Sequence, residues 1–326
     1  APLNLNRSGK SPVREFLSLL EVIKLYKVEK PDIVHHVALK PVLYGAIAAT
    51  LSRTPATINA LAGLGHIFIA EGIRARLVRM VIKAALRLAL RRKSATTIFE
   101  NPDDLNLFVK MGLVKEKKAI LIKSVGVDTS LFAPPTQEPS DDDVPIVLLS
   151  SRMLETKGIG DFVKAAQILK KRGANVRMVL VGSPDPHNPA SIPLSQLEQW
   201  NEDGIIEYWG FKDDMVEILK SASIVVLPSF YGEGVPRSLM EAASAGKPIV
   251  TYDVPGCREI ARNDINGFLV PLRDIDALAK AIFLLVDDSD LRKKMGQAGR
   301  EIVKDEFSET LVNAKTMKLY YKAIGR

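Results

Sequence analysis

With 326 residues the chain is about twice the ~150-residue span of a single domain, so two lobes with a sizeable core are expected. Apolar residues at 47% and charged residues at 25% match ordinary folded proteins and exclude wholesale disorder, collagen and coiled coil. The net charge of +7 is unevenly spread: residues 1–140 hold 21 Lys+Arg against 11 Asp+Glu, leaving 24 against 27 for the rest, so a partner selected by positive charge faces the N-terminal half.

In chain order, the patterning predicts a helix over residues 13–28, a strand over 32–36, a helix over 41–52 and a strand over 56–60. The longest uncharged stretch, 54–70, has 17 residues and contains Pro55, Asn59, Gly63 and Gly65, which is short of the ~20 apolar residues of a spanning helix. No transmembrane segment is expected. A long helix follows at 72–92, then strands near 96–99 and 119–123. A doubly wound half normally opens with strand, turn and helix, whereas this one opens with a helix, so roughly one βαβ unit, ~50 residues, is expected upstream of Ala1.

The helix at 72–92 is the most basic of the chain, with Arg76, Arg79, Lys83, Arg87 and Arg91 at steps of three and four beside an apolar stripe of Leu77, Val81, Ala84 and Leu88. Two readings stand side by side. In one the stripe packs on the sheet and the bases are solvated; in the other the helix lies on an anionic membrane surface. No aromatic residues interleave with the bases, which argues against nucleic acid.

Residues 132–144, with prolines and three successive aspartates, read as the linker. Beyond it, β-branched runs (PIVLLSS, NVRMVLVG, SIVVLPS, KPIVTY, GFLVP) alternate with amphipathic segments of helical length, as in a parallel sheet covered by helices on both faces. The lone Cys257 cannot form an internal disulfide and no signal-like segment opens the chain, so a reducing, cytoplasmic setting is expected.

Two groups of residues could carry chemistry. Glu233 and Glu241 lie eight positions apart, directly after the strand SIVVLPS and across the start of the helix RSLMEAASAG. In doubly wound sheets ligands bind at strand C-terminal ends, and a helix start offers free N–H groups to phosphate. Both acids could instead be solvated, but a charge within SLMEAASAG is costly unless paired or liganded. Arg152 and Lys157 occupy the loop after the first strand of this half, where a forked donor and a point charge together suit a diphosphate. Alone, such a pair could equally be surface charge.

SRMLETKG, EGVPRSLMEAASAGKPIV and GCREIARNDINGFLVPLRDIDALA, with their spacing, resemble the C-terminal half of family-4 retaining glycosyltransferases. That resemblance implies the GT-B fold, two doubly wound Rossmann-like domains facing a cleft, here with boundaries at 1–143, 144–305 and a terminal helix at 306–326 crossing back. It also implies that Arg152 and Lys157 neutralise the diphosphate of a UDP-sugar and that Glu241 accepts from the ribose hydroxyls. Glu233, with the backbone of Gly234, Val235, Pro236 and Arg237, would hold the transferred sugar; the amides of Ser238 and Leu239 would meet the distal phosphate. Gly182, Phe211 and Lys212 match positions near base and phosphates. Such enzymes use no bound metal, and the sequence offers no ligand-spaced cluster; His35 and His36 would point to opposite faces of a strand.

PDIVHHVALKPVLYGAIAA and INALAGLGHIF resemble the polyprenyl-diphosphate-sugar branch of that family, which implies a lipid-diphosphate-linked sugar as acceptor and a peripheral position on the inner membrane face. His36 is then either a packed core histidine or a residue near the acceptor. Many relatives carry a histidine in the segment matching ALAGLG, where Ala62 stands here.

Overall fold

The structure is a computed structural model that describes residues 12–63, 73–135, 143–230 and 232–325. It divides into two compact units: Ala1–Ser124 with Gly232–Gly234 and Val312–Arg326, and Val125–Tyr231 with Val235–Leu311. This division falls before the expected linker at 132–144. Val127 and Phe132 already belong to the core of the second unit, and Val127 exchanges backbone hydrogen bonds with Phe307 and Glu309.

In the first unit the described elements run α1 (Pro12–Glu29), β1 (Ile33–Val37), α2 (Leu39–Leu51), β2 (Ala56–Leu61), α3 (Ile73–Leu90), β3 (Ala95–Phe99), α4 (Pro102–Lys110) and β4 (Ala119–Leu121). The four strands pair in parallel in the order β1-β2-β3-β4, with Ile58 opposite Thr96 and Thr97 opposite Ala119. Alternation sends Leu61 and Phe99 to one face, where they pack with Val42, Leu86, Leu90 and Phe108 of the helices. Ile58 and Ile98 point the other way, onto Ile122 and Val312. The helix α4 starts where Asn101 accepts from the Asp104 amide at 2.8 Å and Pro102 occupies the first turn.

One expectation about α3 is corrected. The stripe of Val81, Ala84 and Leu88 does not pack on the sheet: Val81 is 66% and Leu88 81% exposed, while Leu86 and Leu90 are fully buried and Ile82 packs beside them. The side chain of Leu77 lies outside the described residues. The helix is apolar on two sides, and the sheet takes the side spaced 82, 86, 89 and 90. At 100° per residue, exposed Arg76, Arg87 and Arg91 then share one solvent-facing arc with Met80, Val81, Ala84 and Leu88, while Arg79 and Lys83 are half-buried at its border.

The second unit contains β5 (Ile146–Ser150), α5 (Ile159–Lys171), β6 (Arg177–Val181), α6 (Leu194–Glu202), β7 (Glu207–Tyr208), α7 (Met215–Ser221), β8 (Ile224–Leu227), α8 (Arg237–Ser244), β9 (Ile249–Tyr252), α9 (Cys257–Ile260), β10 (Gly267–Val270), α10 (Ile275–Asp287) and α11 (Ser289–Ile302); α12 (Glu309–Ala323) begins in this unit and continues in the first. Its six strands are parallel in the order β10-β9-β8-β5-β6-β7. Strands β8 and β9 are buried throughout and β5 over its first four residues, which is why they read as unbroken apolar runs. From β5 the chain winds outward through β6 to β7, then returns to β8 on the opposite flank and winds through β9 to β10. The order reverses between β5 and β8, which makes the crevice beyond the C-terminal ends of these two strands the switch point where such sheets bind ligands.

Candidate active site

Both sequence-predicted groups leave the sheet at this switch point. The loop after β5 carries Arg152 and Lys157; the loop after β8 carries Glu233 and leads into α8 with Glu241.

The loop after β5 is pinned along its length. Ser151 donates its amide to Val181 and Met153 to Ser183, and a short turn over Glu155–Lys157 ends at Gly158. Gly158 has φ +77°, and a Cβ there would stand 2.0 Å from the Pro228 carbonyl oxygen, so only glycine lets α5 start this close to the end of β8. Gly182 is equally constrained: at φ +140°, its added Cβ would meet the Ser151 oxygen at 1.8 Å. Its amide donates to Gly210 at 2.8 Å, which ties the ends of β5, β6 and β7 together and brings Phe211 and Lys212, both exposed, to the same sheet edge.

Arg152 is half-exposed and pairs through Nη1 with Asp185 Oδ2 at 2.9 Å. Lys157 is half-buried. The loop after β8 is hung on the same piece of backbone: the Phe230 amide and the Ser229 hydroxyl both donate to the Thr156 carbonyl at 3.2 Å. Beyond it Gly234, Val235 and Pro236 are buried and Glu233 is half-buried, with Gly232–Gly234 grouped in the first unit.

The helix α8 opens at Pro236, which provides no side-chain cap. Leu239 is fully buried and Ser238 half-buried. On the next turn the Glu241 carboxylate is only 12% exposed and accepts from Arg237 Nε at 2.7 Å, while Arg237 itself is mostly in solvent. Burial pushes the Glu241 carboxyl above its ordinary range, and the Arg237 hydrogen bond pulls it back in part. The pairing expected of a charge in this apolar helix is thus present, and the acid remains able to accept from hydroxyl groups.

His36 is elsewhere, in the first unit. It is 5% exposed, with Nδ1 2.8 Å from Asn59 Oδ1 and Nε2 2.9 Å from the Tyr26 hydroxyl. Its ring lies against Gly45 of α2, where an added Cβ would approach Nε2 to 2.2 Å. This is the environment of a packed core histidine. His35, one residue earlier, points to the other face and bonds the Tyr320 hydroxyl. Sequence reasoning missed Asp185, the partner of Arg152, and Thr156, whose carbonyl joins two site loops. Neither residue type carries a signal for such a role.

The glycosyl transferases group 1 family matches residues 134–302, and the glycosyl transferase 4-like family matches residues 2–101. The chain is 32% identical over 330 aligned positions, spanning 98% of this chain and 84% of the relative, to the N,N'-diacetylbacillosaminyl-diphospho-undecaprenol alpha-1,3-N-acetylgalactosaminyltransferase of Campylobacter jejuni. It is 27% identical, over 86% of this chain and 73% of the relative, to the UDP-Gal:alpha-D-GlcNAc-diphosphoundecaprenol alpha-1,3-galactosyltransferase of Escherichia coli. Among solved structures, Anabaena HepE in complex with UDP aligns with TM-score 0.77 at 19% identity, covering 94% of this chain and 82% of that one. Sucrose-phosphate synthase from Thermosynechococcus elongatus aligns with TM-score 0.80 at 22% identity, covering 98% and 82%. The chain therefore belongs to the group 1 glycosyl transferases and is a glycosyltransferase of GT-B fold.

Proposed function

We propose that this glycosyltransferase moves an N-acetylhexosamine or hexose from a UDP-sugar, with retention, onto a sugar already carried by a polyprenyl diphosphate, in the synthesis of cell-surface polysaccharide or glycan. The observation that carries this reading is the likeness over 98% of the chain to a transferase whose name specifies a diphospho-undecaprenol-linked acceptor.

In this reading the anomeric C–O bond to UDP breaks, an acceptor hydroxyl bonds the anomeric carbon on the face the nucleotide leaves, and the hydroxyl proton passes to the departing phosphate oxygen. Negative charge collects on the departing diphosphate, where Arg152, Lys157 and the first amides of α8 oppose it. Glu241 accepts from the ribose hydroxyls, while Gly182, Phe211 and Lys212 border the base and phosphates. Glu233 and the backbone of Gly234–Arg237 hold the transferred sugar. The domains divide as N-terminal acceptor side and C-terminal donor side.

A lipid-linked acceptor calls for a membrane-facing surface. No helix among the described residues is long and apolar enough to cross a membrane. The solvent-facing arc of α3, where Arg76, Arg87 and Arg91 flank Met80, Val81 and Leu88, suits peripheral binding to an anionic cytoplasmic leaflet, with Arg79 and Lys83 at its edge.

The test is UDP release from UDP-N-acetylgalactosamine and UDP-galactose, with and without an undecaprenyl-diphosphate-linked sugar, with the product anomer read by NMR. Acceptor-dependent release with retained configuration is expected. Acceptor-independent turnover, or binding without release, would refute the reading. Sedimentation with phosphatidylglycerol vesicles should fall on replacing Arg76, Arg87 and Arg91 by Gln, and fall with added salt in the parent; unchanged binding would leave α3 an ordinary solvated helix.

A further inference from the structure

The loop from β10 to α10 holds a residue whose backbone is unfavourable and whose side chain, about half in solvent, meets two groups of the same unit. Arg273 has φ +64°, a left-handed conformation that a residue with a Cβ adopts at a cost and that glycine adopts freely. Its guanidinium lies 3.5 Å from the centre of the Phe230 ring, well inside cation–π range, and its Nη1 stands 3.5 Å from Asp161 Oδ2. Asp161 is buried in the first turn of α5 and also accepts from the Tyr252 hydroxyl at 3.0 Å. Phe230 is thus held on two sides, by the Thr156 carbonyl through its amide and by Arg273 through its ring. It begins the stretch that leads, three residues later, to Glu233.

We propose that Arg273 is a positioning residue for transfer: by clamping Phe230 it fixes the loop that presents Glu233 and the start of α8 to the donor sugar. This rests on the proposed donor site at the switch point. The clamp joins the ends of β8 and β10 to α5, so it acts on the sugar-side loop while Arg152 and Lys157, on the loop after β5, retain their own anchors at Val181 and Ser183. A residue that acts only through another should change turnover more than nucleotide affinity.

The left-handed backbone supplies the control. Arg273→Gly removes the clamp; the relieved backbone strain opposes the loss of a charge partner for buried Asp161, so Tm should move little. Turnover of UDP-N-acetylgalactosamine or UDP-galactose, whichever the parent uses faster, should drop about tenfold with UDP affinity within about twofold of the parent. Arg273→Lys, with the charge but not the planar stack, should fall between. Phe230→Leu should reproduce the loss, and the double variant should lose no more than either single change. Hydrogen exchange at 229–234 should accelerate in Arg273→Gly and Phe230→Leu. Unaltered exchange in Arg273→Gly, or unaltered kcat, or additive losses in the double variant, would overturn the clamp. If the parent itself turned over neither donor, the proposed substrate class would fail, and the exchange measurement would still decide the clamp.

Discussion

The two units put their polar residues to opposite uses. In the second, the described strands β5, β8 and β9 are almost wholly apolar, and the charged residues that matter gather on loops at one end of the sheet. In the first, polar side chains lie within the sheet itself: His36, Asn59 and Thr97 form a buried row across β1, β2 and β3, with Thr57 one step along. Apolar side chains, conversely, stand in solvent on α3. A switch-point sheet can leave its interior plain because the ends of its strands carry the chemistry. The polar row uses only part of its hydrogen-bonding capacity: Asn59 Oδ1 meets His36 Nδ1, while Thr57 Oγ1, Asn59 Nδ2 and Thr97 Oγ1 find no partner among the described residues.

The largest effect expected from this contrast lies within α3. Leu86→Ala should cost about 2–5 kcal/mol in denaturant unfolding, whereas Leu88→Ser, about half a turn around the helix on the open arc, should stay within about 0.5 kcal/mol. Equal losses would mean that both sides of the helix are packed. Next, Arg152→Ala or Lys157→Ala should weaken UDP binding by about 1.5–3 kcal/mol in calorimetry while uridine binding changes little, if each charge faces the diphosphate as proposed. Glu233→Ala should lower turnover with UDP affinity retained, and Glu241→Ala should weaken uridine and UDP alike; exchange of these two phenotypes would reverse their assignment.

In the polar row, Asn59→Ala should cost about 1–3 kcal/mol by leaving His36 Nδ1 without its partner, with no loss of UDP affinity. A change in UDP affinity instead would join the row to the donor site. The smallest expected effect is on pH dependence. Burial lowers the His36 pKa, so the folded state binds protons less readily than the unfolded state and stability falls as pH drops below the ordinary histidine range. Asp104 has the opposite sign: burial raises it to about 6, so the unfolded state releases its proton first and stability falls as pH rises toward 6. Asp104→Asn should therefore steepen the acid loss between pH 6 and 5 by about 1 kcal/mol; a flatter profile would contradict the burial of either group.

Much of the fold of the second unit is legible in the sequence because its strands are buried on both faces, and the proposed site residues lie beside them in the chain. Arg152 and Lys157 follow β5 directly, and Glu233 and Glu241 bracket the start of α8. What escapes is long-range. Arg273 meets Asp161 across 112 positions, and nothing local in PLRDID announces it. The inward side of α3 is not legible because Leu, Ala and Val recur on two sides of one helix, and only the sheet decides between them. Prolines and aspartates place the expected linker at 132–144, while the compact units part between Ser124 and Val125, near Val127, which bonds Phe307.

The bare start of α8 has a consequence for how this protein could be improved or spoiled. Pro236 offers no side-chain acceptor to the first turn, although its carbonyl takes the Leu239 amide; in the proposed reading an anion completes the turn at the amides before Leu239. A serine or aspartate there would complete it permanently. Screens that select for heat resistance should therefore favour such replacements, and the winners should be sturdier proteins that grip nucleotide less well.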